Sequence, residues 1–232
     1  MMERTFRILA ALLSYPTEEI QAAAPEFNAV LAEDGFLSER HRTRLERLID
    51  ELASHDLFDL QERYVQLFDR SRSLSLHLFE HVHGESRDRG QAMVDLQRLY
   101  REHGLEIAAK ELPDYLPLFL EFLSTLPAEE ARALLGEPGH VLAALQGRLR
   151  KRKSIYSVVF GALRTIAAGN PAASSDDIHT EDEDPDDLEA LDRAWEDEPV
   201  TFGPGEQGCP VADQMVERMT APAVPAAKSQ GA

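Results

Sequence analysis

Apolar residues recur along most of this chain at spacings of three and four, the period of one side of an α-helix. The first such side runs from Arg4 to Ser14, where Phe6, Ile8, Leu9, Leu12 and Leu13 fall together before Pro16 stops the pattern. Thr17 is suited to cap the next helix, with Glu18 and Glu19 in a first turn whose free N–H groups favour negative charge. Pro25 is placed to kink or divide that helix, and Gly35 to end it. A third helix is expected behind Ser38, carrying Leu45, Leu48, Ile49 and Leu52. A fourth starts behind Asp56, with Leu57, Leu60, Tyr64, Leu67 and Phe68 in one stripe.

After Asp69 the period changes. Arg70 to Ser73 is polar, and Leu74 to Leu78 alternates apolar and polar as a strand would. One alternating stretch without a partner strand cannot make a sheet, so an extended loop or distorted turn is expected. Helical spacing resumes at Arg87, with Met93, Leu96, Leu99, Tyr100 and His103 facing inward and Gly104 closing the helix. Pro113 is expected in the first turn of the next helix, whose buried side is Leu116, Phe119, Leu120 and Leu123; Pro117 allows a local bend. Pro127 opens a short helix ending near Gly136. Pro138 opens another, with Val141, Leu142, Leu145 and Leu149 inward. Arg148, Arg150, Lys151, Arg152 and Lys153 end it, where positive charge suits the helix dipole. Ser154 to Ala168 is apolar on most sides and reads as a buried last helix. With no second strand pattern and no internal repeat, the expected fold class is all-α: one multi-helix bundle over residues 1–170. Tyr64, Phe68, Leu96 and Phe119 are expected in its core.

From Gly169 the composition shifts. Between Asp176 and Glu198 thirteen acidic side chains stand against Arg193, a net of −12, and residues 200–232 add −1. The total is −18, which leaves −5 for everything before, so the bundle itself is only mildly acidic. Residues 171–232 have too little apolar content to bury and are expected to form an acidic, largely disordered tail. Leu188, Leu191 and Trp195 nevertheless have the spacing of one side of a short helix, so docking on a partner or on the bundle is the alternative. The charge disfavours nucleic acid and anionic membrane surfaces and favours basic partners. No apolar run is long enough to span a bilayer, so direct membrane insertion is not expected. The N-terminal apolar patch is broken by charge and lacks a small-residue cleavage site. The single cysteine, Cys209, can form no internal disulfide. A cytoplasmic protein is expected.

Candidate chemistry concentrates between two apolar helical faces. Glu80, His81, His83, Glu85, Arg87, Asp88 and Arg89 crowd one short segment, more ionisable groups than packing calls for. In an extended segment His81 and His83 point the same way, and with a carboxylate they would suit zinc. A metal-dependent helical enzyme is therefore the alternative function. The competing reading is that these side chains bond loop backbone and helix ends. Arg87, Asp88 and Arg89 are either a solvated first turn or one wall of a cleft. Asp114 and Glu121 fall two helical turns apart with Leu118 between them, and Tyr115 can stack on a cation. Such a mixed acidic and apolar surface suits a basic amphipathic helix. No HExxH, Ser-His-Asp order, Walker loop or GxGxxG is present, so no catalytic residue is assigned.

Two blocks, LFEHVHGESRDRGQAMVDL (Leu78 to Leu96) and ELPDYLPLFLEFL (Glu111 to Leu123), resemble signatures of the NarJ-type nitrate reductase assembly chaperones, part of the wider TorD-like group. The similarity reaches back through Tyr64, Leu67, Phe68 and Asp69 and returns at Glu198 to Phe202 and at Gly208 to Val211. The resemblance implies a dedicated chaperone, not an enzyme. Such a protein captures the N-terminal segment of the catalytic (alpha) subunit of a respiratory nitrate reductase. It keeps that apo-subunit open for molybdenum cofactor and iron–sulfur insertion and delays membrane docking, binding no cofactor stably itself. On this reading Glu80, His81, His83, Glu85, Arg87, Asp88, Arg89, Asp114, Tyr115, Leu118 and Glu121 line the partner site. The cleft is expected between the Glu80–Arg89 turn and the Asp114–Glu121 helix. Protonation of His81 or His83 would then add positive charge at its mouth and weaken a cationic partner.

Overall fold

The computed structural model describes residues 2–83, 87–107 and 111–169. Among the described residues there are ten α-helices and no strand, as the 3.6-residue period requires. The helices are α1 (Met2–Leu13), α2 (Glu18–Asp34), α3 (Glu39–Ser54), α4 (Leu57–Tyr64), α5 (Leu78–His83), α6 (Arg87–Glu102), α7 (Leu116–Ser124), α8 (Ala128–Gly136), α9 (Gly139–Lys151) and α10 (Ser157–Ala167). The proposed tail, 171–232, with Leu188, Leu191, Trp195 and Cys209, lies outside the described residues.

α1 buries Phe6, Leu9 and Leu13 completely and packs on α2 and α7. Its first turn is held by Asp34 from the end of α2, whose Oδ2 accepts the Thr5 N–H and hydroxyl, both at 3.0 Å. Thr17 caps α2 as expected, its hydroxyl accepting the Ile20 N–H at 3.3 Å. Pro25 neither divides nor ends α2; it lies exposed within a helix that runs on to Asp34. Gly35 then adopts φ 69°, where a side chain would be strained, and sends its N–H back to Leu31. Ser38 precedes α3, but its hydroxyl meets the His41 ring at 2.9 Å instead of a backbone N–H.

α10 is the centre of the bundle. Val159, Phe160 and Leu163 are fully buried, and the helix touches α1, α3, α8 and α9. A file of rings crosses the core from Tyr15 through Tyr64 and Phe68 to Tyr156, with centroids 5.6, 5.0 and 5.1 Å apart. Of the expected core residues, Tyr64, Phe68 and Phe119 are buried, while Leu96 is half-buried against the core. α6 is peripheral: among its described side chains only Tyr100 is buried, and His103, expected inward, is exposed.

Three local features depart from the periodic reading. The α4 stripe passes into a π-helical turn, Val65–Asp69, which widens the helix while keeping Phe68 inside. The alternating stretch does bury Leu74, Leu76 and Leu78, but through a 3₁₀ turn (Arg72–Leu74), one isolated bridge from His77 to Tyr115, and then α5. The helix expected at Pro113 begins at Leu116, with Pro117 in its first turn and Asp114 outside it.

Candidate functional site

The junction between α5 and α7 is built on Asp114. Its side chain is wholly buried, and three donors converge on it. The Phe79 N–H donates to Oδ2 at 3.0 Å, His77 Nδ1 approaches Oδ1 at 3.3 Å, and the Leu78 N–H donates to the backbone carbonyl at 3.0 Å. The Leu116 N–H returns the link to the Leu76 carbonyl at 2.9 Å. Asp114 thus supplies, from across the chain, the acceptor that the first turn of α5 needs. The same carboxylate raises the His77 pKa above the ordinary imidazole range, chiefly through their hydrogen bond. The Tyr100 hydroxyl fastens the neighbouring Pro113 carbonyl at 2.7 Å.

A second link runs through two phenols. The Tyr64 hydroxyl donates to the Leu13 carbonyl at 2.9 Å, so at the 2.9 Å contact between the two phenols Tyr115 is the donor. Burial raises the pKa of both, and both stay protonated at neutral pH. Tyr115 is half-buried, 5.4 Å from the His77 ring, and commits its hydroxyl inward. It joins the ends of α1, α4 and α7.

Among the described residues the ionisable cluster does not assemble as one surface. His81 and His83 lie in α5, where residues two apart point to opposite sides, so they cannot share a metal as an extended segment would allow. His81 is turned inward with Nε2 on the Ser75 carbonyl at 2.8 Å; burial, and then the nearby Arg148 charge, lower its pKa. His83 stands edge-on to Phe79, centroids 5.8 Å apart. Glu80 pairs with Arg89 at 3.0 Å, bridging α5 to α6. Burial alone would raise the Glu80 pKa, but the Ser75 hydroxyl and Arg89 bring it below the usual carboxylate range. Asp88 is exposed. Glu85 lies outside the described residues, and Arg87 starts α6. Among the described residues no three His, Cys, Asp or Glu are grouped to hold a metal.

The expected face of Asp114, Leu118 and Glu121 is corrected on the same grounds. Asp114 is buried and precedes the helix, so only Leu118 and Glu121 face open space together. They line a cleft of about 660 Å³. Its walls are not the Glu80–Arg89 turn but α1 (Arg7, Ala11, Ser14), Ile20, Tyr100 and the Leu105–Ile107 segment. The cleft therefore lies on the α1 side of α7. Glu106 and Glu121 are exposed at it, and Arg7 is paired with Glu3 at 3.0 Å. Ala11 and Ser14 are the small residues of α1 among those that line the cleft.

Comparison with known proteins follows the same outline. The family described as "Nitrate reductase delta subunit" matches residues 16–160. The Escherichia coli (strain K12) "Nitrate reductase molybdenum cofactor assembly chaperone NarJ" is 43% identical over 205 residues, 87% of this chain and 86% of that protein. A Bacillus subtilis (strain 168) relative named "Probable nitrate reductase molybdenum cofactor assembly chaperone NarJ" is 36% identical over 166 residues, 70% of this chain and 89% of its own. Among solved structures, a "Putative Redox Enzyme Maturation Protein" from Archaeoglobus fulgidus superposes with a TM-score of 0.54 at 22% identity. It covers 72% of this chain and 94% of that one, and shows the shared fold.

Proposed function

This chain belongs to the nitrate reductase delta subunit family, and from that membership we propose how it works. It is an assembly chaperone for nitrate reductase, assisting molybdenum cofactor insertion, and not an enzyme. The observation that carries this is the 43% identity to an assembly chaperone, spread over 87% of the chain. The geometry agrees with a binding role. His81 is spent on a backbone carbonyl, Glu80 on Arg89 and Asp114 on the α5–α7 junction, so these groups serve the fold.

The partner is the catalytic subunit in its apo form, engaged in the cytoplasm through its N-terminal segment before membrane docking. The supporting feature is the cleft between α1 and α7. Its volume falls in the range of ligand sites, its walls are mainly apolar, and Glu106 and Glu121 stand exposed at it. A basic amphipathic helix suits such a site: apolar anchors supply affinity, while the carboxylates steer approach and fix register. Leu118 and Glu121 contact the segment directly. Asp114 and Tyr115 act as positioning residues that hold the start of α7. No helix among the described residues is long and apolar enough to cross a membrane. The test is to express the catalytic subunit with and without this chain in a host lacking its own chaperone, and to measure molybdenum in the purified subunit. Metal is expected only when the chain is present. Full molybdenum content without it overturns the reading.

A further inference from the structure

The α1–α7 cleft has two unlike ends. Arg7, Ala11 and Ser14 form its α1 wall at spacings of four and three, and Leu118 and Glu121 belong to the facing wall of α7. Two contacts set the relative direction of these helices. Arg7 Nε reaches the Ser124 hydroxyl at 3.5 Å, at the C-terminal end of α7. At the other end the Leu13 carbonyl accepts from Tyr64, whose oxygen takes the hydroxyl of Tyr115, the residue before α7. α1 and α7 therefore run antiparallel. Their dipoles offset each other, so side-chain charges decide which way round a bound helix lies.

Those charges are divided between the ends. Among the described residues that line the cleft Arg7 is the one cation, and its side chain is 61% exposed. Its partner Glu3 lies one turn back on the same helix, in a solvent-exposed pair of the kind that is weak and readily exchanged. The opposite end is acidic. Ile20 lines the cleft there, preceded by Glu18 and Glu19, both exposed in the first turn of α2. From Ile8 to Glu39 the chain has no Lys or Arg. Burial raises the Tyr115 pKa most at this end, and the charges of Glu111, Asp69 and Glu121 raise it further.

We propose that the cleft is directional: Arg7 receives the C-terminal end of the bound helix, while its N-terminal end, with the segment's basic residues, lies at Ser14 and Ile20. The last turn of a helix exposes carbonyl groups that favour a cation, and the first turn exposes N–H groups that favour carboxylates. The bound helix then runs parallel to α7 and antiparallel to α1. The segment selected is an amphipathic helix with Lys and Arg in its first turns and a carboxylate or free carbonyl groups at its last. Apolar anchors fit in either direction, so Arg7 is the specificity-determining residue that disfavours the reversed one. This inference rests on the cleft being the partner site, and the experiment separates the two.

The experiment uses the isotope-labelled full chain and the synthetic N-terminal segment of the catalytic subunit, carrying a nitroxide at one end or the other, followed by nuclear magnetic resonance. A label at the segment's C-terminal end should broaden the amides of Thr5 to Arg7 and of Ser124 and Thr125. A label at its N-terminal end should instead broaden those of Ser14 and of Thr17 to Ile20. Arg7→Glu should weaken binding roughly tenfold and let each label broaden both ends, as two directions become populated. Arg7→Lys keeps the charge and should stay within about threefold, with the wild-type pattern. Arg47→Glu, an equal change of charge at an exposed position on α3, should stay within about twofold. Arg7 is exposed, so circular dichroism should be unchanged in its variants. Two outcomes overturn the proposal: the reversed broadening pattern in the wild type, or wild-type pattern and affinity in Arg7→Glu. Binding with broadening at neither end is a different result, which overturns the cleft reading itself and the direction with it.

Discussion

Replacing Asp114 should unfold the α5–α7 junction rather than merely blunt a binding surface. The carboxylate is fully buried and accepts the Phe79 N–H and the His77 ring. In Asp114→Ala the Phe79 N–H loses its acceptor inside the protein, a cost of about 1–3 kcal/mol, and the His77 bond adds about 1 kcal/mol. A loss of roughly 2–4 kcal/mol is expected, a large fraction of a typical domain's stability. Asp114→Asn keeps one acceptor for Phe79 and should lose only about 1–2 kcal/mol. Asp114→Lys puts an unpaired cation in the same space and should cost roughly 3–5 kcal/mol or prevent folding. Urea unfolding followed by helical circular dichroism measures all three, with an unchanged denaturant slope confirming that stability alone moved. His77→Gln should also cost less in the Asp114→Asn background than in the wild type, since the two share one bond. An Asp114→Lys protein that unfolds at the wild-type midpoint would refute this reasoning and place the carboxylate at the partner surface.

His77 gives a pH signature of known sign. Its pKa is raised in the folded chain, so its contribution is complete below about pH 6.5 and fades as pH climbs through the folded value. Urea unfolding should therefore show a wider gap between wild type and His77→Gln at pH 5.5 than at pH 8.5, and a constant gap would contradict the pairing with Asp114. Phe119→Ala removes a buried ring from α7 and should cost roughly 3–5 kcal/mol in the same assay. Truncation after Asn170 should leave the melting temperature within a few degrees of the full chain; a larger drop would show that the acidic tail contributes to the bundle.

Helix boundaries were legible wherever a cap and an apolar stripe coincided. Thr17 with Ile20 and Asp56 with Phe58 are bonded as their sequence positions imply. Gly35 ends α2 for the reason its residue type suggests. The site was less legible because its contacts are long-range. Nothing in ELPDYLPL distinguishes an Asp114 that faces solvent from one that accepts an N–H thirty-five residues away. The periodic argument put Asp114 and Glu121 on one helical side, but Pro117 lies in the first turn of α7 and the helix starts two residues past Asp114. The histidine pair failed similarly. Alternation from Leu74 to Leu78 reads as extended chain, and the switch to α5 rests on contacts made by Asp114. His81 is held below its usual range by burial, so the group at this junction whose protonation is favoured is His77.

The central claim is that the α1–α7 cleft holds the N-terminal segment of the catalytic subunit. Isothermal titration of the full chain with a synthetic peptide of that segment tests it directly, alongside Glu121→Lys and Leu118→Glu, neither of which alters a buried residue. Saturable one-to-one binding is expected, about tenfold or more weaker in each variant, with wild-type circular dichroism throughout. Undiminished binding by both variants would place the partner elsewhere on the bundle, and no binding by the wild-type chain would contradict capture of this segment altogether.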